Sequence, residues 1–287
     1  MTHCLFVSDL HGCTDRYRKL LQVIETRLPA GVFVGGDLLP SYSLSQSLDE
    51  DAPSDFVREF LAEEFQSLKD RIGEDYPEVF VILGNDDLRF EEADFLEGAE
   101  TGLWRYAHQR EHAFGDYRVM GYSYIPPTPF PLKDWERYDV SRYVDPGAVS
   151  PEEGMRTLPV SPQEMRYATI KEDLENLAGS AETDNLIFLF HSPPYETKLD
   201  RAPLDGMKVD HAPLDVHVGS IAIRRFVEDR QPLLTLHGHV HDSARLTGSW
   251  KDRLGRTHMF TAAHDGPELA LVSFDLENLE DAQRELL

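Results

Sequence analysis

Five short apolar runs in this chain each stop at a side chain that can hold a metal ion. Cys4-Leu5-Phe6-Val7 runs into Ser8-Asp9-Leu10-His11, Val32-Phe33-Val34 into Gly35-Gly36-Asp37, and Val79 to Leu83 into Gly84-Asn85-Asp86-Asp87. Asn185 to Phe190 ends in His191, and Leu234-Thr235-Leu236 ends in His237-Gly238-His239-Val240-His241. Runs this short, bounded by glycine and polar residues, are strands rather than helices. Residues i and i+2 project to one side of extended chain, so Asp9/His11 and His239/His241 are each offered as pairs. Glycine lets the chain turn closely around what they hold.

Between these strands the spacing predicts helices. Tyr17, Leu20, Leu21, Ile24 and Leu28 form an i, i+3, i+4, i+7 stripe opened by Cys13 or Thr14 and stopped by Pro29. A second helix is expected over 54–72, capped by Ser54 or Asp55, with Phe56, Phe60, Leu61, Phe65, Leu68 and Ile72 on one face. The acidic stretch Ser41 to Asp51 reads as a loop, and the polar stretch containing His108 and His112 as helical. Tyr117 to Tyr122 is a strand. From Pro126 to about Ser161 the composition turns to Pro, aromatic and charged residues, including Trp135, Tyr138 and Tyr143. So long an irregular segment within a compact domain is functional or packed, and it is expected to be an insertion that caps the site. A helix over about 162–177, a second irregular segment to Val218, and a helix from Gly219-Ser220 to Glu228 follow. Strands at 258–263 and 269–275 precede an acidic tail. The expected organisation is one α/β domain over 1–287 with the insertion at about 126–161.

In open α/β sheets ligands bind outside the carboxyl ends of the strands, so the five strand ends are expected to converge. Mixed imidazole, amide and carboxylate ligands suit Mn, Fe, Zn or Ni, and a shared carboxylate can bridge two ions. The formal net charge of −24 opposes nucleic-acid polymer or an anionic membrane surface as a partner. No apolar stretch nears the roughly 20 residues of a membrane span. Met1-Thr2-His3 leads into a strand rather than a signal peptide, so a cytoplasmic location and reduced thiols at Cys4 and Cys13 are expected.

Asp9-x-His11, Gly36-Asp37, Gly84-Asn85, His191 and Gly238-His239-x-His241, in this order, resemble the calcineurin-like metallophosphoesterase family. The resemblance implies two stacked mixed β-sheets flanked by helices, in four layers α/β/β/α. It also implies two divalent ions, one held by Asp9, His11, Asp37 and His241. The other would be held by Asp37 as the bridge, Asn85, His191 and His239. The segments around Phe130 to Glu136 and Pro193 to Ser220 look like a bacterial or archaeal subgroup of uncertain substrate.

One departure stands out. Many family members carry His after the Gly-Asn pair to act on the leaving group, whereas Asp86 and Asp87 follow here, as in Gly-Asn-x-Asp variants that include phosphodiesterases. A carboxylate beside two cations is ionised and donates no proton, so His211, His217 and His264 become replacement acids. His3, His108, His112, His237 and His258 are read as structural.

The expected function is metal-dependent phosphoester hydrolysis on a small substrate, foremost of a phosphodiester. Two ions about 3.5–4 Å apart would ionise a bridging water to the attacking hydroxide. Asn85, Asp86 and His239 are the expected catalytic residues. Asn85, His211 and His217 would contact substrate, and Ser220 with Arg224, at a helix start, would hold a second anionic group. Two alternatives share the ligand set: a phosphomonoesterase or protein phosphatase, and a non-catalytic protein-binding scaffold. Loss of ligands would mark the scaffold, and none is missing.

Overall fold

The computed structural model describes residues 2–40, 55–179 and 182–287. The loop expected at Ser41 to Asp51 and the Ser54 cap lie outside them. In chain order the elements are β1 (His3–Val7), α1 (Thr14–Arg27), β2 (Gly31–Gly35), a π-helical turn (Val57–Ala62) that runs into α2 (Glu63–Ile72), β3 (Glu78–Ile82), α3 (Glu92–Glu100), β4 (Arg105–Tyr106), β5 (Glu111–Phe114) and β6 (Tyr117–Tyr122). Then come α4 (Pro162–Tyr167), α5 (Ile170–Ala178), β7 (Leu186–Phe190), β8 (Lys208–Val209), β9 (Ala212–Pro213), α6 (Ile221–Arg230), β10 (Leu234–His237), α7 (Ser243–Thr247), β11 (Lys251–Leu254), β12 (Thr257–Thr261), β13 (Ala270–Asp275) and β14 (Asn278–Leu286).

Two six-stranded mixed sheets result, ordered β14-β13-β1-β2-β3-β4 and β11-β12-β10-β7-β6-β5, with β8 and β9 forming a separate hairpin. β1, β2, β3 and β4 run parallel, as do β12, β10, β7 and β6. Alternate residues of each strand serve alternate faces. Cys4, Phe6, Phe33, Phe80 and Ile82 of the first sheet meet Val119, Ile187, Leu189, Leu234, Leu236 and Phe260 of the second in one core. Leu5, Val7, Val32, Val34, Val79 and Val81 turn the other way, onto helices. Aromatic stacking fills the layer between the sheets, with Phe33 and Phe80 ring centroids 5.3 Å apart. The expected α/β sandwich of two stacked sheets flanked by helices is thus the observed fold.

Asp55 opens the second helix, its Oδ1 accepting the Arg58 N–H at 2.9 Å. α1 buries Tyr17, Leu20, Leu21 and Ile24, and ends where Leu28 takes a left-handed conformation before Pro29. Four expectations need correction. The helix between β3 and β5 is α3, and it stops short of His108 and His112; His112 lies in β5, paired with Val119 across a hairpin. Helix 162–177 is two helices, because Thr169 leaves helical geometry and caps α5 through the Glu172 N–H. β11, an edge strand of the second sheet, was not foreseen. The acidic tail is β14, an edge strand whose Leu279 and Ala282 turn into the core while its acidic residues face out. Cys4 and Cys13 are free thiols.

Candidate metal centre

The C-terminal ends of β1, β2 and β3 meet those of β7 and β10 along one edge where the sheets touch. Backbone bonds lock the loops together there: the Asp9 N–H donates to Gly36 O, that of His11 to Asp37 O, and that of Gly238 to His191 O. Asp9, His11, Asp37 and His239 all have positive φ, between 47° and 71°. Left-handed backbone is costly for residues with a Cβ, and such strain gathers at functional sites. Here it falls on four of the seven expected ligands.

The side chains converge as two groups that share Asp37. Ligand atoms of Asp9, His11, Asp37 and His241 all lie within 4.8 Å of one another, and so do those of Asp37, His191 and His239. His11 Nε2 faces His241 Nε2 at 3.2 Å, and His241 Nε2 is 3.3 Å from Asp9 Oδ1. His191 Nε2 is 3.3 Å from Asp37 Oδ2 and 3.1 Å from Asn85 Oδ1, which brings Asn85 into the second group. His191 Nδ1 donates to Gly35 O at 2.8 Å, so its Nε2 carries the lone pair that points into the group. Asp9 Oδ2 accepts from Ser8 Oγ at 2.5 Å and its Oδ1 from the His239 N–H at 2.9 Å; Asp37 Oδ1 accepts from the Asp86 N–H at 2.8 Å.

The buried carboxylates and the imidazoles around them shift one another's protonation. Burial pushes the Asp9 carboxyl up, but His241 and His191 outweigh it and hold it at about 2. Asp37, equally buried, is held low by His191 and His11. Burial disfavours charge on His11 and His191, yet the carboxylates around each pull its pKa up to about 9. His239 goes the other way, down to about 4, because burial and the charge of His191 prevail. Two buried carboxylates and imidazoles that give up their protons to bind metal fit divalent transition-metal ions. The backbone is cut to the same shape. A Cβ on Gly84 would meet Asp37 N at 2.5 Å and His191 Cε1 at 2.6 Å; one on Gly238 would meet Asp9 Oδ2 at 2.8 Å.

Asp86 and Asp87 take different positions. Asp86 Oδ2 lies 3.3 Å from His11 Nδ1, an ion-pair distance without hydrogen-bond geometry. Asp87 is fully buried and braces two loops, accepting the Leu38 and Leu39 N–H groups on Oδ1 and that of Gly84 on Oδ2, each at 2.8 Å. Burial and the nearby Asp37 push Asp87 up to about 7 despite those donors. Asp87 stands at the Asp of the Gly-Asn-x-Asp pattern, and its bracing role had no sequence signal beyond that pattern.

The expected substrate residues scatter. His217 lines a cavity of about 250 Å³ that opens beside His239, and its Nδ1 contacts buried Asp200 at 2.8 Å. His211 is exposed at the turn of the β8–β9 hairpin and does not line that cavity. His264 turns to Glu268, 3.1 Å away. The second anion site is a correction. Ser220 Oγ donates to Asp139 and caps α6 by accepting the Ile223 N–H, while the Asp139 carboxylate takes the Ile221 and Ala222 N–H groups. That helix start is filled by an anion of the protein itself. Arg224 instead donates to Tyr195 O, Glu196 O and Glu228. His237 is buried and fully bonded, to Ser192 O and Thr235 Oγ1, as a structural residue. A roomier groove of about 660 Å³ beside α2 and α3 shares no residue with the ligand groups.

The sequence signature of calcineurin-like phosphoesterases matches residues 2–243. The chain belongs to that family. Family membership makes it a metal-dependent phosphoester hydrolase. An uncharacterized protein of Methanocaldococcus jannaschii, MJ1162, is 30% identical over 99 residues, which are 34% of this chain and 38% of that protein's length. Among solved structures, TT1561 of Thermus thermophilus has a TM-score of 0.54 at 15% identity, over 99% of this chain and 98% of that one. A dimetal phosphatase from Danio rerio has a TM-score of 0.50 at 11% identity, over 94% and 91%. These likenesses speak to the fold alone. Among the described residues no helix is long and apolar enough to cross a membrane.

Proposed function

We propose that the protein hydrolyses small phosphodiesters at a dinuclear centre, with Asp9, His11, Asp37 and His241 holding one ion and Asp37, Asn85, His191 and His239 the other. The observation that carries this is the pair of ligand groups meeting at Asp37. Two divalent ions, when bound, supply Lewis acidity and a water ionised near neutral pH. Mn²⁺, Fe²⁺, Ni²⁺ and Zn²⁺ all suit the donors.

The chain's own residues orient and exclude. The Asn85 amide oxygen faces the His191 side, leaving its N–H₂ to donate to a phosphate oxygen. Asp86 pairs with His11 rather than acting on the leaving group, since its carboxylate lies at ion-pair distance from His11 Nδ1. Hydrolysis is then fastest for weakly basic leaving groups, because a positioned acid would otherwise add about 10²–10⁴-fold. The segment 126–161 acts as a cap: Pro126, Pro127, Pro129 and Tyr143 line the cavity that opens at His239, limiting the substrate to a small ester. A cytoplasmic location accords with this.

The test compares bis(p-nitrophenyl) phosphate with p-nitrophenyl phosphate on Mn²⁺-loaded protein. The diester is expected to lead in kcat/KM by about tenfold or more; both esters expel the same p-nitrophenolate, so the ratio reads recognition of the phosphate and not help to the leaving group. A lead for the monoester reverses the assignment and makes the protein a phosphomonoesterase.

A further inference from the structure

We infer that the cavity beside His239 binds the alcohol part of the ester and selects a small, positively charged alcohol with an apolar body, Asp145 being the residue that selects it. The inference rests on the phosphodiester reading above. An ester whose phosphate sits at the ligand groups projects a substituent past His239, into this cavity. Its volume of about 250 Å³ is that of a site for one small organic group.

The walls set its character. Prolines 126, 127, 129 and 146 with Leu204, Leu214 and Val218 make it largely apolar, and among the described residues no Lys or Arg lines it. Its three carboxylates are not equivalent. Asp139 is consumed by the start of α6. Asp215 accepts the Tyr195 hydroxyl at 2.6 Å and the His217 N–H at 2.9 Å. The Asp145 carboxylate has neither hydrogen bond nor ion pair among the described residues. Asp145 is exposed to solvent, and partial desolvation with the charge of Asp215 raises its pKa above the ordinary Asp value. Asp145 is held in place by a turn, with Ala148 N–H donating to Asp145 O at 3.0 Å and Gly147 packed on Val209 of β8. A cation in the cavity would find two solvent-exposed carboxylates, Asp145 and Asp215, beside an apolar wall; an anion would be repelled by both.

Three phosphate monoesters probe this as ligands, titrated calorimetrically into the full-length, Mn²⁺-loaded protein so that the readout does not depend on turnover. They carry 2-(trimethylammonio)ethyl, its uncharged isostere 3,3-dimethylbutyl, and 2-sulfonatoethyl groups. The cationic ester is expected to bind about tenfold more tightly than the isostere, and the sulfonate more weakly than either. Asp145→Asn should bring the first two within about threefold, and Asp145→Glu should restore the preference. Equal affinities in the wild type, or a preference that survives Asp145→Asn, overturn the inference. If none of the three binds, the inference falls while the phosphodiester reading is judged separately by turnover of bis(p-nitrophenyl) phosphate; if all bind without preference, only the charge selection falls.

Discussion

The metal cradle and the proposed cap, segment 126–161, are adjacent in space but built by opposite means. The cradle is made of backbone: strand ends, left-handed residues at Asp9, His11, Asp37 and His239, and glycines where a Cβ would strike a ligand. The cap is made of buried polar side chains. Lys133, wholly buried, donates to Thr128 O at 2.9 Å and to Glu136 Oε2 at 2.5 Å, and Glu136 also takes the Thr128 N–H and hydroxyl. Neighbouring Asp134 ties Arg89 N, Thr157 N and Thr157 Oγ1 together. The ligand groups are thus held by backbone and close turns, whereas the 126–161 segment is held by pairs of buried side chains.

That contrast can be broken in order of effect. Asp37→Ala removes the residue both ligand groups share, and metal analysis is expected to show loss of essentially all bound ion, with kcat/KM on bis(p-nitrophenyl) phosphate down by more than the roughly 10³-fold of a single electrostatic donor. One full ion retained per chain would separate the two groups. Gly84→Ala tests the cradle without touching a ligand: its Cβ displaces Asp37 or His191, so metal affinity is expected to fall about 10–100-fold, as when a ligand's support is lost.

Lys133→Met strikes the cap instead. It leaves Glu136 buried without its cation, which is expected to cost about 3–5 kcal/mol in urea unfolding, while metal content stays at the wild-type level. Loss of metal in this variant would mean that cap and cradle fold as one unit.

His237 lies within the cradle's own motif yet acts only on stability. Burial lowers its pKa to about 3, against about 6.5 unfolded. The unfolded chain therefore binds the extra proton between those values, so stability present above pH 6.5 is lost as pH falls. At pH 5 the loss is about 2 kcal/mol. The demetallated wild type should show this extra acid sensitivity relative to His237→Asn; parallel pH profiles would remove it.

The smallest effect is at the start of α6. Ser220→Ala is expected to cost about 0.5–2 kcal/mol, as loss of a helix cap does, with no change in phosphate affinity on loaded protein. Weakened phosphate binding would restore the anion site that Asp139 otherwise fills.

The sequence by itself determined the five apolar strands that lead into the site and the set of groups at their ends, because a buried strand needs an unbroken apolar run and a close turn needs glycine, and both are written locally. Asp9, His11, Asp37, Asn85, His191, His239 and His241 were legible for that reason. Tertiary structure alone decided the rest. β14 reads as an acidic tail because an edge strand buries only one face, and Leu279 and Ala282 are too few to mark it. Asp139 reaches α6 across more than eighty residues of chain, so nothing near Ser220 announces that its helix end is already occupied. Asp86, Asp87 and Asp145 are all carboxylates in loops, alike in sequence. Only the packing makes one an ion-pair partner of His11, one a brace between strand ends, and one an unpaired charge facing a cavity, because what a carboxylate does depends on which donors and charges surround it.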